Sequence, residues 1–259
     1  MKAGIDKDCE GNMQQLQEHA HVTKSASTTS PLVWVLFVLL CVIGAAAAAR
    51  RITVLIAPST QVNVSPTAAL DADFASRRVL TLCHLVPALA FVILAPFWFL
   101  QKTRSRPALH RRISWALVIL GSIIGVTAFL LSLHPVGGIN EATAAILYDC
   151  LFLFSLARAA LMLYRHDVER HRTWMMRAIA VLLGIATTRP VMGVFFATAS
   201  ITHLRPEQFF GTAFWIGFTV TYIAGEAYLR SHPSPHFSPA LRTSLRTHRD
   251  LRVTVGRGW

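Results

Sequence analysis

Two short stretches set histidine beside arginine and tryptophan: "HRRISW" at residues 110–115 and "HRTWMMRA" at 171–178. Neutral imidazoles on two helices can occupy both axial positions of a haem iron, and arginines beside them can neutralise its propionates. His110 and His171, with Arg111, Arg172 and Arg177 close in sequence, are therefore the candidate ligands of a b-type haem. His84 is a third candidate and would need His134 or His203 as its partner in a second haem. Charge offers another chemistry. Asp149, Arg158, Arg189 and Glu226 fall inside apolar runs, where an ionisable side chain costs about 3 kcal/mol and persists by finding a partner or serving a function.

The elements that must position these residues follow from composition. The chain has 259 residues, of which 53% are apolar and 15% charged, with a mean hydropathy of +0.47. A water-soluble globule of this length does not show that balance. Apolar runs over 31–49, 79–100, 113–133, 142–164, 174–201 and 207–229 are long enough to cross a hydrocarbon layer of about 30 Å as helices. Lipid-facing backbone must satisfy its own hydrogen bonds, which selects helices. The expected fold is all-α: a polytopic transmembrane bundle of about six spans over 31–229, between a polar N-terminal tail at 1–30 and a basic, Pro- and Ser-rich tail at 230–259. The first run is too long, and its polar leader too extended, for a cleavable signal peptide.

Basic residues set the orientation. The segment "QKTRSRPALHRR" (101–112) carries five Lys or Arg and "RHDVERHR" (165–172) carries three, whereas "HPVGGINE" (134–141) carries none. The positive-inside rule puts the first two segments and both termini in the cytoplasm, in a bacterial inner membrane. Arg50, Arg51, Arg77 and Arg78 run against that placement for the first span. The net charge of +12 lies in loops and tails beside the membrane, so the expected partners are anionic lipid headgroups rather than nucleic acid. Four cysteines stand singly, with no close pair to suggest a zinc site or a disulfide framework.

Counting along the spans gives depths. His84 and Asp149 lie about 8 and 10 Å below one membrane edge, and Arg189 about 8 Å below the same edge from a neighbouring span. Shared depth predicts an Asp149–Arg189 pair with His84 beside it. The same count brings Arg158 and Glu226 to one level near the other edge and predicts a second pair there. Pro190, directly after Arg189, is expected to kink its helix, with Thr187 and Thr188 bonding freed carbonyls. Trp98, Trp115 and Trp174 read as an aromatic belt, and "GSIIG" (121–125) as a close-packing helix face.

Several of these residues together resemble a bacterial family of predicted membrane proteins known as domain of unknown function 2306. The likeness covers about half the chain. It rests on His84 followed by "LAPFWF", on "LHRR" with His110, on "HRTWMMRA" with His171, Trp174 and Arg177, and on "TTRP" with Arg189. This chain departs from the family pattern at Ser114 and Ala95, where the family has glycine. The resemblance implies that this polar set belongs together and assigns it no activity.

The leading expectation is a b-type haem protein moving electrons within or across the membrane, with a membrane redox partner or quinone. One alternative is a transporter or small-ligand-binding bundle built on Asp149, Arg189 and His84. Another is a structural or regulatory membrane component whose charge pairs fix helix packing.

Overall fold

A computed structural model describes residues 31–57 and 74–232 of the chain. The tails expected at 1–30 and beyond 232, and Cys9, lie outside the described residues. The helices are α1 (Pro31–Ile56), α2 (Arg78–Phe99), α3 (Gln101–Arg104), α4 (Pro107–Ser132), α5 (Gly138–Tyr164), α6 (Val168–Thr202) and α7 (Pro206–Ser231), and no strand occurs among the described residues.

Among those residues, α1, α2, α4, α5 and α6 are long and apolar enough to cross a membrane. The chain is thus a polytopic helical membrane protein. The residues of the expected sixth span form the 26-residue helix α7, but its Gly, Thr, Gln and Glu residues dilute the apolar run and keep it out of that class. The outward faces carry Ile119, Val126, Phe154, Val194 and Val220, each more than half exposed, as a lipid-facing surface requires.

The helices are longer than the apolar runs. α4 starts at Pro107, where a first-turn proline gives up no needed N–H. α6 starts after Asp167, whose carboxylate accepts from the Arg170 N–H at 3.1 Å and caps the helix. Polarity ends an apolar run without ending a helix, so both histidine–arginine stretches lie inside helices. α6 continues unbroken through Pro190 to His203, which closes it in the left-handed conformation at φ 53°.

The short N-terminal unit ends at Phe37, and its described part places the Trp34 and Phe37 rings 5.4 Å apart. In the unit from Val38 onward, α1 buries Cys41, Ala48 and Leu55, seven residues apart on one stripe. α2 packs on α4, α4 on α5, and α6 on both α5 and α7; α5 touches α4, α6 and α7 and lies at the centre. Phe152 of α5 meets Phe91 of α2 edge-on at 6.5 Å, both buried. Leu156 and Phe152 lie over Gly121, and Leu153 over Gly125, so the "GSIIG" face does pack closely.

A close helix approach involves Gly217 of α7. A Cβ there would stand 2.7 Å from the Thr188 backbone nitrogen and 2.9 Å from its Cα. Backbone cannot step aside as a side chain can, so Gly217→Ala is expected to push α6 and α7 apart and cost about 1–2 kcal/mol. Thermal unfolding in detergent checks this, and an unchanged midpoint contradicts it.

Candidate functional site

His110 and His171 occupy equivalent positions. Each is the fourth residue after its N-cap, Arg106 for α4 and Asp167 for α6, so each sits one turn inside its helix. The structure brings them together as expected, with ring centroids 6.5 Å apart and planes at 79°. It also adds Trp98 from the last turn of α2 and Ser114 from the next turn of α4. All four side chains are at most 9% exposed.

Hydrogen bonds run through this node in one direction. The Nδ1 of His171 lies 2.9 Å from the Ala159 carbonyl, which can only accept, so the proton is on Nδ1. Nε2 is then an acceptor and receives the Ser114 hydroxyl at 3.1 Å. Ser114 in turn accepts the Trp98 indole N–H at 2.9 Å. Three bonds tie α2, α4, α6 and α5 at one end of the bundle, and neutral His171 satisfies both nitrogens within them.

His110 differs. Its ring stacks on Trp98 at 5.3 Å and 30°, yet neither buried nitrogen has a hydrogen-bond partner among the described residues. A buried polar group left this way costs about 1–3 kcal/mol. It is the one histidine of the node whose polar atoms the packing leaves unused.

The two rings as placed do not fit a porphyrin between them. His171 Nε2 already holds the Ser114 hydroxyl. The Trp98 ring, 5.3 Å from one imidazole and 6.0 Å from the other, stands beside their midpoint, in the plane a macrocycle would fill. Among the described residues no group of three or more His, Cys, Asp or Glu gathers to hold a metal ion.

The rest of "HRTWMMRA" serves a second cluster. Arg177 Nε donates to Glu226 Oε1 at 2.5 Å and its Nη2 to Oε2 at 3.2 Å, a two-pronged pair between α6 and α7. The Arg177 guanidinium also lies 4.7 Å from the Trp174 ring centre, with Arg158 at 5.3 Å from the same ring. This corrects the expected Arg158–Glu226 pair: the levels agree, but Glu226 faces α6 and its carboxylate is taken by Arg177. Arg158 instead lies over the indole, its buried Nε without a hydrogen-bond partner.

The expected Asp149–Arg189–His84 cluster does not form. His84 Nδ1 donates to Thr127 Oγ1 at 3.0 Å and to the Ile124 carbonyl at 3.2 Å, both on α4. Asp149 is buried and its Oδ2 has no partner among the described residues, whereas Arg189 is exposed. Asp149 shares an α5 stripe with Phe152 and Leu153, which face Gly121 and Gly125 of α4. Arg189 follows Ala186, which faces Gly44 of α1, by one turn. Depth was matched, but the directions around the two helix axes diverge. His134 and His203, the proposed partners of His84, sit exposed at helix ends.

Trp98 and Ser114 were missed as site residues. Trp98 is 2% exposed and bonded within the bundle instead of sitting in an interfacial belt. Ser114 lies four residues after His110 on the same face of α4, a spacing that could have placed it in the node.

Residues 81–228 match the model of a family described as a predicted membrane protein, DUF2306. No curated protein matches the chain, and neither does any solved structure.

Proposed function

Taking as premise that this chain belongs to the DUF2306 family of predicted membrane proteins, we propose that it is a membrane-embedded binding protein for a small lipid-soluble molecule bearing a carbonyl or hydroxyl oxygen. Quinone headgroups are the type, and His110 is the residue that meets the ligand. The observation that carries this reading is the pair of buried, unpartnered nitrogens on His110, beside a neighbour, His171, whose nitrogens are both used. A neutral imidazole offers one donor and one acceptor, which suits an oxygen-bearing ring better than a simple ion. The segment leading to His110 is also interrupted instead of one continuous helix. Leu100 breaks α2, α3 is four residues long, and Ser105 and Arg106 are not helical, so it can open without unfolding a spanning helix.

In this reading the node lies at the cytoplasmic side of a bacterial inner membrane, because Arg104, Arg106, Arg111, Arg165 and Arg172 crowd that end of the bundle. Anionic headgroups are their partners. Electron transfer through a bound quinone is compatible with the site and needs no axial iron ligand.

The test is equilibrium binding of a short-chain quinone to the full-length protein in mild detergent, with a visible spectrum before and after dithionite. Expected are saturable binding, at least five-fold weaker in His110→Phe, and no sharpening Soret band. Equal affinity in His110→Phe, or no saturable binding to the unmodified protein, overturns the reading.

A further inference from the structure

Behind the node, α4 turns a different face outward. Ala108, Arg111, Arg112, Trp115, Ala116 and Ile119 follow one another at helical spacing and line an open groove of about 570 Å³. Arg111 and Arg112 are exposed, and neither has an ion pair or hydrogen bond among the described residues. Trp115 is half-buried and marks the step from polar to apolar. Ala116 and the exposed Ile119 continue the same helix face beyond it. Two cations, an indole and an apolar strip thus occur in that order along one helix face, starting in its second turn.

We propose that this groove is a specific site for one anionic phospholipid, its phosphate on Arg111 and Arg112 and an acyl chain along Trp115, Ala116 and Ile119. The proposal rests on the reading that the arginine-rich end meets anionic headgroups and narrows it to one place. Charge complementarity argues for the occupant. A guanidinium holds phosphate oxygens in two-pronged fashion, while a zwitterionic headgroup brings its own cation into the same space. The small Ala108 and Ala116 leave the room that a larger side chain would fill.

The experiment is native mass spectrometry of the full-length protein, delipidated in mild detergent and titrated with phosphatidylglycerol or phosphatidylcholine of the same acyl chains. Expected is preferential retention of phosphatidylglycerol. The loss is on the order of five-fold in Arg111→Gln or Arg112→Gln alone, and ten-fold or more in the double variant. Arg78→Gln/Arg230→Gln, which removes the same charge from exposed positions elsewhere, is expected to change retention by less than two-fold. Inorganic phosphate at millimolar concentration is expected not to compete, since it lacks the acyl chain. Equal retention of the two lipids by the unmodified protein defeats the headgroup reading as a whole. Selective retention that falls equally in both arginine pairs defeats only this site, as does full competition by phosphate. The single variants keep the test decisive if the double variant does not fold.

Discussion

Glu226→Leu is expected to reduce the folded, membrane-inserted protein more than any other single change considered. Arg177 and Glu226 are 27% and 18% exposed, and they are joined by two charge-assisted bonds. Removing the carboxylate leaves a guanidinium among helices with only the Trp174 ring beside it, at a cost of about 3 kcal/mol. That lowers the ratio of folded to unfolded protein by more than a hundred-fold. The isolated pair is not itself worth so much, because desolvation offsets most of its attraction. Arg177→Leu/Glu226→Leu is therefore expected to recover most of the loss, and Glu226→Gln to fall between. Membrane abundance and thermal unfolding of the unmodified protein, Arg177→Leu, Glu226→Leu and the double variant check this as a double-mutant cycle. Purely additive losses would contradict it.

His171→Phe is the second large effect. The side chain is fully buried and its nitrogens hold Ala159 and Ser114. Phenylalanine fills similar space and makes neither bond. Ser114 can turn its hydroxyl back to a carbonyl of its own helix, but the links from α6 to α4 and α5 are gone. The expected cost is about 2 kcal/mol, read as a lower unfolding midpoint. Ser114→Ala is expected to lower the midpoint as well, since it leaves the buried Trp98 N–H and one imidazole nitrogen without a partner while the Ala159 bond remains.

Much of this architecture was legible in the residues themselves. Apolar runs fixed the existence of the helices, because a lipid-facing chain has no other way to satisfy its backbone. The echo of histidine and arginine at 110 and 171 put the two imidazoles at one end of the bundle, and the structure sets the rings 6.5 Å apart, although α4 and α6 are not packed along each other and α5 is the helix that contacts both. Two features were not legible. Depth along a helix follows from a count, but direction around its axis depends on which neighbours it packs against. For that reason Asp149 and Arg189 share a level and face different helices, and Glu226 meets Arg177 where Arg158 was expected. The role of Trp98 was hidden for a related reason: a tryptophan near a membrane edge suits an aromatic belt, and only the position of Ser114 turns its N–H inward.

The comparison of His110 with His171 separates function from packing. Both are buried, both stand one turn inside a helix, and both touch Trp98. Only His171 uses its nitrogens. Replacing a buried, unpartnered polar ring by an apolar one of similar shape is neutral or stabilising, so the two histidines should respond in opposite ways to one substitution. The direct test is thermal unfolding of His110→Phe and His171→Phe side by side in the same detergent. The account predicts an unchanged or raised midpoint for His110→Phe together with weakened quinone binding, and a lowered midpoint for His171→Phe. A fall of similar size in both would show that His110 holds the bundle together as His171 does, and would contradict its assignment to a ligand.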